Sequence, residues 1–392
     1  MPENQPFKLR SLIVSVYLPT ALFSIGEGAL LPILPAAAER MGASLPVAGL
    51  IAGLLMIGVL LADLPAGIVV ARIGERKAMI FSALFSALGI CAALFANNLY
   101  VLGAGILLVG LGHSVFGLAR QVYIAEHIPY SHRARALSII GGTFRTGAFL
   151  GPLLSSLIIS VSGITTVFLV SMLLWLGSAT IVTFTKEEAK AHTPTSLRRT
   201  LHIANRERKS ILTIGVGAMI IAVMRSSRTI GLPLLALSIH MPTETAALYI
   251  GIAGAVDLSL FFLSGQVMDK YGRRWAAIPT LVGMAVTNML FFLVKDPSMF
   301  LAVAIILSIA NAFSAGLVLV LGADNAPADA RSEYLSSFRL LVDAGSAMTS
   351  PVLSLLMVLL GGLAPAMLCF GGLGFFGVYL VNKHLPATGQ KR

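Results

Sequence analysis

Nine ionisable residues fall inside segments that are otherwise apolar enough to lie in a membrane. They are Glu27, Asp63, Arg120, Arg145, Arg225, Arg228, Asp257, Arg339 and Asp343. A charged side chain at the centre of a bilayer costs about 2.5–3.5 kcal/mol on insertion scales, so such residues pair with one another or line water. Carboxyl groups and arginines that share a polar cavity can bind protons, balance charge and hold a polar ligand.

Depth within the predicted helices separates the nine residues into two groups. The deeper group has three candidates for a proton-binding site, which are Glu27, Asp257 and Asp343. It also has arginines that could orient a substrate or balance the carboxylates, which are Arg145, Arg225 and, one turn further out, Arg228. The shallower group is better explained by salt bridges in a gate or a loop, and consists of Asp63, Arg120 and Arg339.

The composition indicates which elements carry these residues. Hydrophobic residues make up 57% of the 392 residues and charged residues only 11%, and the mean hydropathy is +0.89. Because a soluble domain carries about 25% charged residues, the sequence predicts an all-α integral membrane protein. It argues against disorder, nucleic-acid binding and a disulfide-rich secreted domain. The seven histidines are scattered and predict no metal site.

Twelve stretches are long enough to span a bilayer. They cover 11–35, 46–70, 78–97, 99–126, 136–160, 164–184, 210–236, 246–267, 276–295, 298–323, 334–359 and 364–382. The polar, basic segment 185–209 divides them into two sets of six. The expected domains are therefore an N-terminal six-helix bundle over 1–184, a linker over 185–209 and a C-terminal six-helix bundle over 210–392.

The basic residues predict the orientation of these spans. With both termini in the cytoplasm, 21 of the 28 Lys and Arg residues fall in cytoplasmic segments, and only Arg40 and Lys295 fall outside. Positive residues mark the cytoplasmic side, so we expect a multi-pass protein of the cell membrane with cytoplasmic termini. The net charge of +11 is then explained by topology and by contact with anionic lipids.

The second half of the sequence repeats the first at a constant offset of 198 residues. The matched positions include Pro35 with Pro233, Glu126 with Asp324, Pro129 with Pro327, Arg133 with Arg331 and Gly147 with Gly345. Because six spans per half is an even number, the repeat is parallel, which places a substrate site near the midplane between the halves.

The same offset superimposes polar positions of the two halves. Glu27 overlies Arg225, and Arg145 overlies Asp343. These opposite charges predict neutralising pairs across a cavity, with Arg225 or Arg145 as the partner of Glu27 and a purely structural pair as the alternative. His113 overlies Asn311, and the histidine is either a packing residue or a proton relay.

Two loops carry a motif of glycine and basic residues at corresponding positions. The first copy contains Gly67, Arg72, Gly74 and Arg76, and the second contains Gly265, Asp269, Lys270, Gly272, Arg273 and Arg274. Both resemble the G-x-x-x-D-R-x-G-R-R/K signature of the major facilitator superfamily, and the resemblance covers nearly the whole chain. It implies a cytoplasmic gate in which Asp269 pairs with basic groups. The first copy departs from the signature, because Ala71 replaces the aspartate and Glu75 a basic residue.

A second motif lies in the fifth predicted span and contains Gly147, Gly151 and Pro152. It resembles the G-x-x-x-G-P motif of antiporters in this superfamily, of the bacterial twelve-span type that exchanges drugs or metabolites for protons. Small residues four positions apart also allow membrane helices to pack closely. Ordinary helix packing is therefore the alternative explanation.

The resemblance implies a fold of two pseudo-symmetric six-helix bundles and a transporter rather than an enzyme. We expect a monomeric, proton-coupled exporter of small, partly apolar molecules that works by alternating access. The sequence has no G-x-x-x-x-G-K-[ST] phosphate loop, so a proton or other ion gradient is the expected energy source, without a cofactor. The alternatives are an importer of an anionic metabolite, a lipid flippase or, in another class, a membrane enzyme or scaffold.

Overall fold

The twelve predicted spans are confirmed by a computed structural model that describes residues 12–128, 130–185, 197–327 and 329–385. Every regular element in these ranges is helical. The spans of the first half are Ile13–Leu30, Leu45–Ile73, Glu75–Leu94, Leu99–Ile124, Ser138–Ser162 and Ile164–Thr183. Those of the second half are Arg208–Ser238, Thr243–Tyr271, Arg274–Leu293, Pro297–Asn325, Glu333–Leu360 and Leu363–His384.

The helix boundaries repeat at the offset found in the sequence. The second span and the eighth, Leu45–Ile73 and Thr243–Tyr271, both contain 29 residues. Each is followed by a glycine in the left-handed region, with φ of +81° at Gly74 and +96° at Gly272. Glycine adopts this conformation without steric cost, which explains the second glycine of each loop motif.

Two spans end or break where the sequence analysis placed continuous helix. The first span ends at Leu30 rather than at residue 35, and a separate helix, Leu34–Arg40, begins beyond Pro32. The tenth span consists of Pro297–Ala312 and Leu317–Asn325, with Gly316 in the left-handed region between them. The Ser264 hydroxyl lies 2.7 Å from the carbonyl oxygen of Phe313, to which it donates, and so satisfies a carbonyl that the break leaves free.

The connection between the halves contains a helix, Leu197–Arg206, within the predicted linker. The Arg206 guanidinium donates to both carboxylate oxygens of Asp329, at 2.7 and 3.1 Å, which raises the pKa of Arg206 above its ordinary value. We call the side of the molecule with this helix the linker face. The other side, where the turns 95–98 and 294–296 lie, is the opposite face.

The two halves are packed in different ways around their glycines. In the first half, glycines bring helix backbones together: Gly58 and Gly110 lie against each other, and Gly28 lies against Gly147. In the second half, methionine side chains fill the space beside two glycines, of which Gly345 corresponds to Gly147 at the offset of 198 residues. Met219 lies against Gly345, and Met289 lies against Gly371.

The halves contact each other near the opposite face. The Ser350 hydroxyl of the eleventh span donates to the carbonyl oxygen of Gly49 in the second span, at 2.7 Å. Gly254 of the eighth span lies against the backbone of Ala148 in the fifth. Nearer the linker face, a Cβ atom added at Gly141 or Gly265 would meet no atom within 4 Å. The space between the halves is therefore closed at the opposite face and open toward the linker face.

Candidate functional site

Glu27 pairs with His113 in the interior of the first half. The Glu27 Oε2 and His113 Nδ1 atoms are 2.7 Å apart, and the two side chains are only 11% and 22% exposed. Glu27 lies between two glycines, of which Gly28 allows the fifth span to pack directly against the first. The Glu27 side chain itself reaches across to His113 on the fourth span. The pair is a carboxyl group and an imidazole, both of which exchange protons.

Asp257 is the centre of a second polar cluster, which connects the two halves. It forms an ion pair with Arg145 of the fifth span, and its Oδ1 atom accepts a hydrogen bond from Asn311 Nδ2 at 2.8 Å. The Arg145 guanidinium also lies 5.4 Å from the ring centroid of Phe261. Because Asp257 is buried, this ion pair lies deep between the halves.

Arg225 and Arg228 extend the second cluster along the seventh span. Arg228 donates to the Ser308 hydroxyl at 2.8 Å, while its Nε atom is buried without a partner in the described chain. Arg225 lies deep inside the molecule, yet its side chain is exposed to solvent. It therefore borders the open space between the halves. It lies within electrostatic range of Arg145 and Asp257. These arginines surround Asp257 with an excess of positive charge.

A third cluster joins the second and eleventh spans. Asp63 accepts a hydrogen bond from the Ser114 hydroxyl at 2.7 Å, and its carboxylate is 3.5 Å from Arg339. Arg339 also pairs with Asp343 on its own helix, at 3.1 Å. Asp63 and Arg339 therefore form a salt bridge as expected for the shallower group, and it crosses the boundary between the halves. The expectation is wrong for Arg120, which forms no salt bridge with any residue in the described ranges.

The pairs predicted from the repeat are wrong. Glu27 pairs with His113 rather than with Arg225 or Arg145, and Arg145 pairs with Asp257 rather than with Asp343. Residues related by an axis through a cavity meet only when they lie close to that axis. Glu27 instead meets a partner on another helix of its own half, the fourth span.

The loop motifs lie at the linker face, where the halves are separated. Asp269 and Lys270 are exposed, and Arg273 donates to Asp324 of the tenth span at 2.8 Å. In the first copy, Glu75 is buried and lies 3.6 Å from His127 Nε2. The acidic departure from the signature is thus matched by a basic partner on the fourth span.

The fifth-span motif packs against the first span. Gly147 lies against Ser24, and Gly151 lies against Gly28 and Ala29. Pro152 is buried inside the same helix. The glycines thereby set the distance between the fifth span and the helix that carries Glu27, as the packing explanation requires.

Sequence reasoning missed the serines that complete these clusters and gave no binding role to Arg120. Ser308 lies one turn before Asn311 and shares a helix surface with it, whereas Ser114 directly follows His113 and points to another side of the helix. Arg120 borders a cavity of about 230 Å³ between the halves. Among the described residues, no group of three His, Cys, Asp or Glu side chains could hold a metal ion.

These features define an integral membrane protein of two six-helix repeats around a polar space that is open to one face. This architecture is that of parallel-repeat secondary transporters. The sequence profile of the Major Facilitator Superfamily matches residues 16–350 and 214–392. The chain belongs to this superfamily.

Solved transporter structures share the fold at low sequence identity. A D-xylose-proton symporter is 17% identical with a TM-score of 0.74, over 97% of this chain and 99% of that one. A bacterial homologue of the human lysosomal transporter Spinster, in an inward-facing and unoccupied conformation, is 14% identical with a TM-score of 0.77, over 96% and 97%. A POT family transporter in complex with 5-aminolevulinic acid is 12% identical with a TM-score of 0.79, over 96% and 95%.

Curated relatives match over short segments. The uncharacterized MFS-type transporter YhjO of Bacillus subtilis (strain 168) is 29% identical over 120 residues, which are 31% of this chain and 30% of the relative. The facilitated glucose transporter member 12 of solute carrier family 2, from Homo sapiens, is 35% identical over 85 residues, which are 22% of this chain and 14% of the relative. The chain therefore spans less than a third of the length of either relative.

Proposed function

We propose that the chain is a secondary transporter that exports small, partly apolar molecules in exchange for protons by alternating access. The observation that carries this proposal is the Glu27–His113 pair, at 2.7 Å, inside a space closed at one face. A buried ionisable residue in a membrane is retained at a high energetic cost and marks a substrate or proton pathway. The D-xylose-proton symporter shows that this fold supports proton coupling in another protein.

Proton binding and substrate binding are coupled because the proton and the protonated His113 compete for the Glu27 carboxylate. Desolvation favours the neutral carboxyl group, whereas a nearby cation favours the carboxylate. Protonation of Glu27 weakens its attraction for a protonated His113, and a bound substrate that changes the hydration of the pair changes its proton affinity. Asp257, between Arg145 and Asn311, is the second candidate for the proton site, and Asp343, beside Arg339, is the third.

Alternating access requires the contacts at the opposite face to separate while the linker face closes. The helices that must move carry the Ser350–Gly49 hydrogen bond and the close contact of Gly254 with Ala148. The Asp63–Arg339 and Arg145–Asp257 pairs also cross the boundary between the halves. Rocking of the halves rearranges these charges, so the proton site and the gate are mechanically connected.

We further propose that the linker face is the cytoplasmic face of a cell membrane. The asymmetry of Lys and Arg supports this orientation. A reporter active only in the cytoplasm, fused after Gln390, is expected to be active, and the same reporter inserted in the turn 95–98 is expected to be inactive. The opposite pattern contradicts the orientation.

Import of an anionic metabolite is a second candidate function. It is favoured by the arginines around Asp257, because Arg225 borders the open space and Arg228 has a buried Nε atom without a partner among the described residues. Guanidinium groups bind carboxylates and phosphates with two parallel hydrogen bonds. Export and import use the same cavity and differ in the direction of the coupled flux.

A flux assay in proteoliposomes tests the proposed function. Purified protein is reconstituted, a pH gradient is imposed, and uptake is measured across a panel that includes lipophilic cations and organic acids. The exporter predicts accumulation of substrate on the side that supplies the protons. Accumulation on the other side shows symport, and flux that ignores the pH gradient contradicts proton coupling.

The exposed position of Asp269 predicts a kinetic effect without a loss of stability. Asp269 is exposed while the linker face is open, so we expect Asp269→Asn to slow turnover several-fold by weakening the closed gate, with an unchanged melting temperature. The control is Ala71→Asn at the corresponding position, which removes no carboxylate and should leave turnover near the wild-type rate. Equal, wild-type turnover of both variants rules out a gating role for Asp269.

A further inference from the structure

The cavity of about 230 Å³ lies in the part of the central space nearest the linker face. Its wall includes Met56 of the second span, Arg120 of the fourth, Phe144 of the fifth and Arg339 of the eleventh. Helices of both halves thus contribute to it, as expected for a site that alternating access exposes in turn to each face. The Glu27–His113 pair reaches it through His113, which is also part of the wall.

Arg120 is the feature of this cavity that the proton pathway does not explain. The residue is only 2% exposed, yet its Nε and Nη1 atoms have no hydrogen-bond partner in the described chain. Its Cζ atom lies 4.4 Å from the ring centroid of Phe144, so the ring holds the guanidinium by a cation–π contact. A buried guanidinium with unused donors is costly, and this one is held in place at the wall of a cavity.

Three other arginines of the interior already have acceptors, whereas Arg225 borders the open space near Asp257. Arg145 and Arg339 pair with carboxylates, and Arg228 donates to Ser308. Glu27 is the carboxylate within electrostatic range of Arg120, but its Oε2 atom is hydrogen bonded to His113. The charge of Arg120 is therefore available to a ligand.

The remaining wall defines what else the ligand carries. Met56, Val59 and Phe144 form an apolar surface beside the guanidinium. A cavity of about 150 Å³ is large enough to hold benzene, so about 230 Å³ accommodates a ring or short chain together with an anionic group. Asp343 also borders the cavity, where it is paired with Arg339 rather than with Arg120.

We propose that this cavity binds the transported substrate as an organic monoanion, with its carboxylate on Arg120 and its apolar body against Met56, Val59 and Phe144. The inference rests on the proposed transport function, because it names the substrate class of the same central space. A lipid headgroup phosphate shares the anionic chemistry, and the experiment therefore separates the two sources.

Binding to purified protein in a neutral detergent tests the proposal, with para-butylbenzoate as the probe and its neutral amide as the matched compound. The wild-type protein is expected to bind the benzoate at least tenfold more tightly than the amide, about 1.4 kcal/mol. Arg120→Gln should remove this preference, and Arg120→Lys should retain part of it because the charge remains. The control is Arg40→Gln, which removes one positive charge at an exposed position outside the cavity and should change nothing.

If the Arg120→Gln protein does not fold, a second variant still tests whether the benzoate binds in this cavity. Met56→Trp fills the cavity while keeping Arg120, and it should abolish binding of the benzoate. Equal affinity of the wild-type protein for benzoate and amide overturns the proposal, as does unchanged preference in Arg120→Gln. Stabilisation by phosphatidylglycerol but not by the benzoate, lost in the Arg120 variants, identifies a lipid site and also overturns it.

The outcomes distinguish this proposal from the proposed function. Proton-driven flux of a neutral or cationic compound, without binding of the benzoate, leaves the transport function standing and overturns the anion site. The converse result is that the protein binds the benzoate selectively while the substrate flux does not change with the pH gradient. That result supports the anion site and overturns proton coupling.

Discussion

Glu27→Gln is expected to abolish substrate flux driven by a pH gradient while leaving exchange of substrate for substrate. Glutamine imitates the protonated carboxyl group and can keep a hydrogen bond to His113, whose Nδ1 atom lies 2.7 Å from the carboxylate. Exchange across the membrane needs only binding and the movement of the halves, whereas net exchange against protons needs a group that gains and loses one. We expect the pH-driven rate to fall at least tenfold, with little change in melting temperature.

The matched control for this prediction is Glu39→Gln. Glu39 is exposed near the end of the helix Leu34–Arg40, which follows the helix that carries Glu27, and it lies outside the cavity. It should retain both activities. A stable Glu27→Gln protein with wild-type pH-driven flux would eliminate Glu27 as the coupling residue and direct attention to Asp257. Loss of both activities together with a large fall in melting temperature would assign Glu27 a structural role.

Asp257→Asn is expected to reduce both stability and transport, because it leaves Arg145 without its carboxylate. The Arg145 and Asp257 side chains are 12% and 7% exposed. Removal of one partner from a buried ion pair costs about 3–5 kcal/mol. The melting temperature should therefore fall markedly, and pH-driven flux should be lost in the protein that remains folded.

An exposed ion pair within the second half provides the control. The partners Arg273 and Asp324 are 32% and 46% exposed, and exposed pairs contribute about 0–1 kcal/mol. Asp324→Asn should consequently leave the melting temperature nearly unchanged. The double variant Arg145→Gln with Asp257→Asn should recover part of the lost stability, since no charge is stranded, but not the transport. A melting temperature of Asp257→Asn equal to that of the wild type contradicts a buried, energetically coupled pair.

Helix number and repeat could be predicted from the sequence because both depend on patterns along the chain. Hydrophobicity over about 20 residues indicates a span whatever its neighbours are, and the offset of 198 residues recurs in the helix boundaries of Leu45–Ile73 and Thr243–Tyr271. The end of the first span could also have been predicted, because Pro32 and Pro35 lie where the helix breaks. The break before Gly316 was not predicted, and the hydroxyl that satisfies its free carbonyl comes from Ser264 of another helix.

Side-chain partners could not be predicted, because they depend on how each helix is rotated against its neighbours. Sequence position placed Glu27 and His113 at similar depth but did not show that they face each other. Arg120 illustrates the same limit: one helical turn separates Phe116 from Arg120, yet the ring that holds the guanidinium is Phe144 of another span. The inventory of charged residues was available from the sequence, and their pairing required the packed structure.

The difference in glycine packing between the halves has a mechanical consequence. Backbone-to-backbone contacts such as Gly58 with Gly110 leave no side chain between the helices that can change rotamer, so these helices of the first half are closely held at those points. In the second half, Met219 and Met289 lie against Gly345 and Gly371 with unbranched side chains that adapt easily to a new shape. We therefore expect the second half to repack more readily than the first when the two halves move.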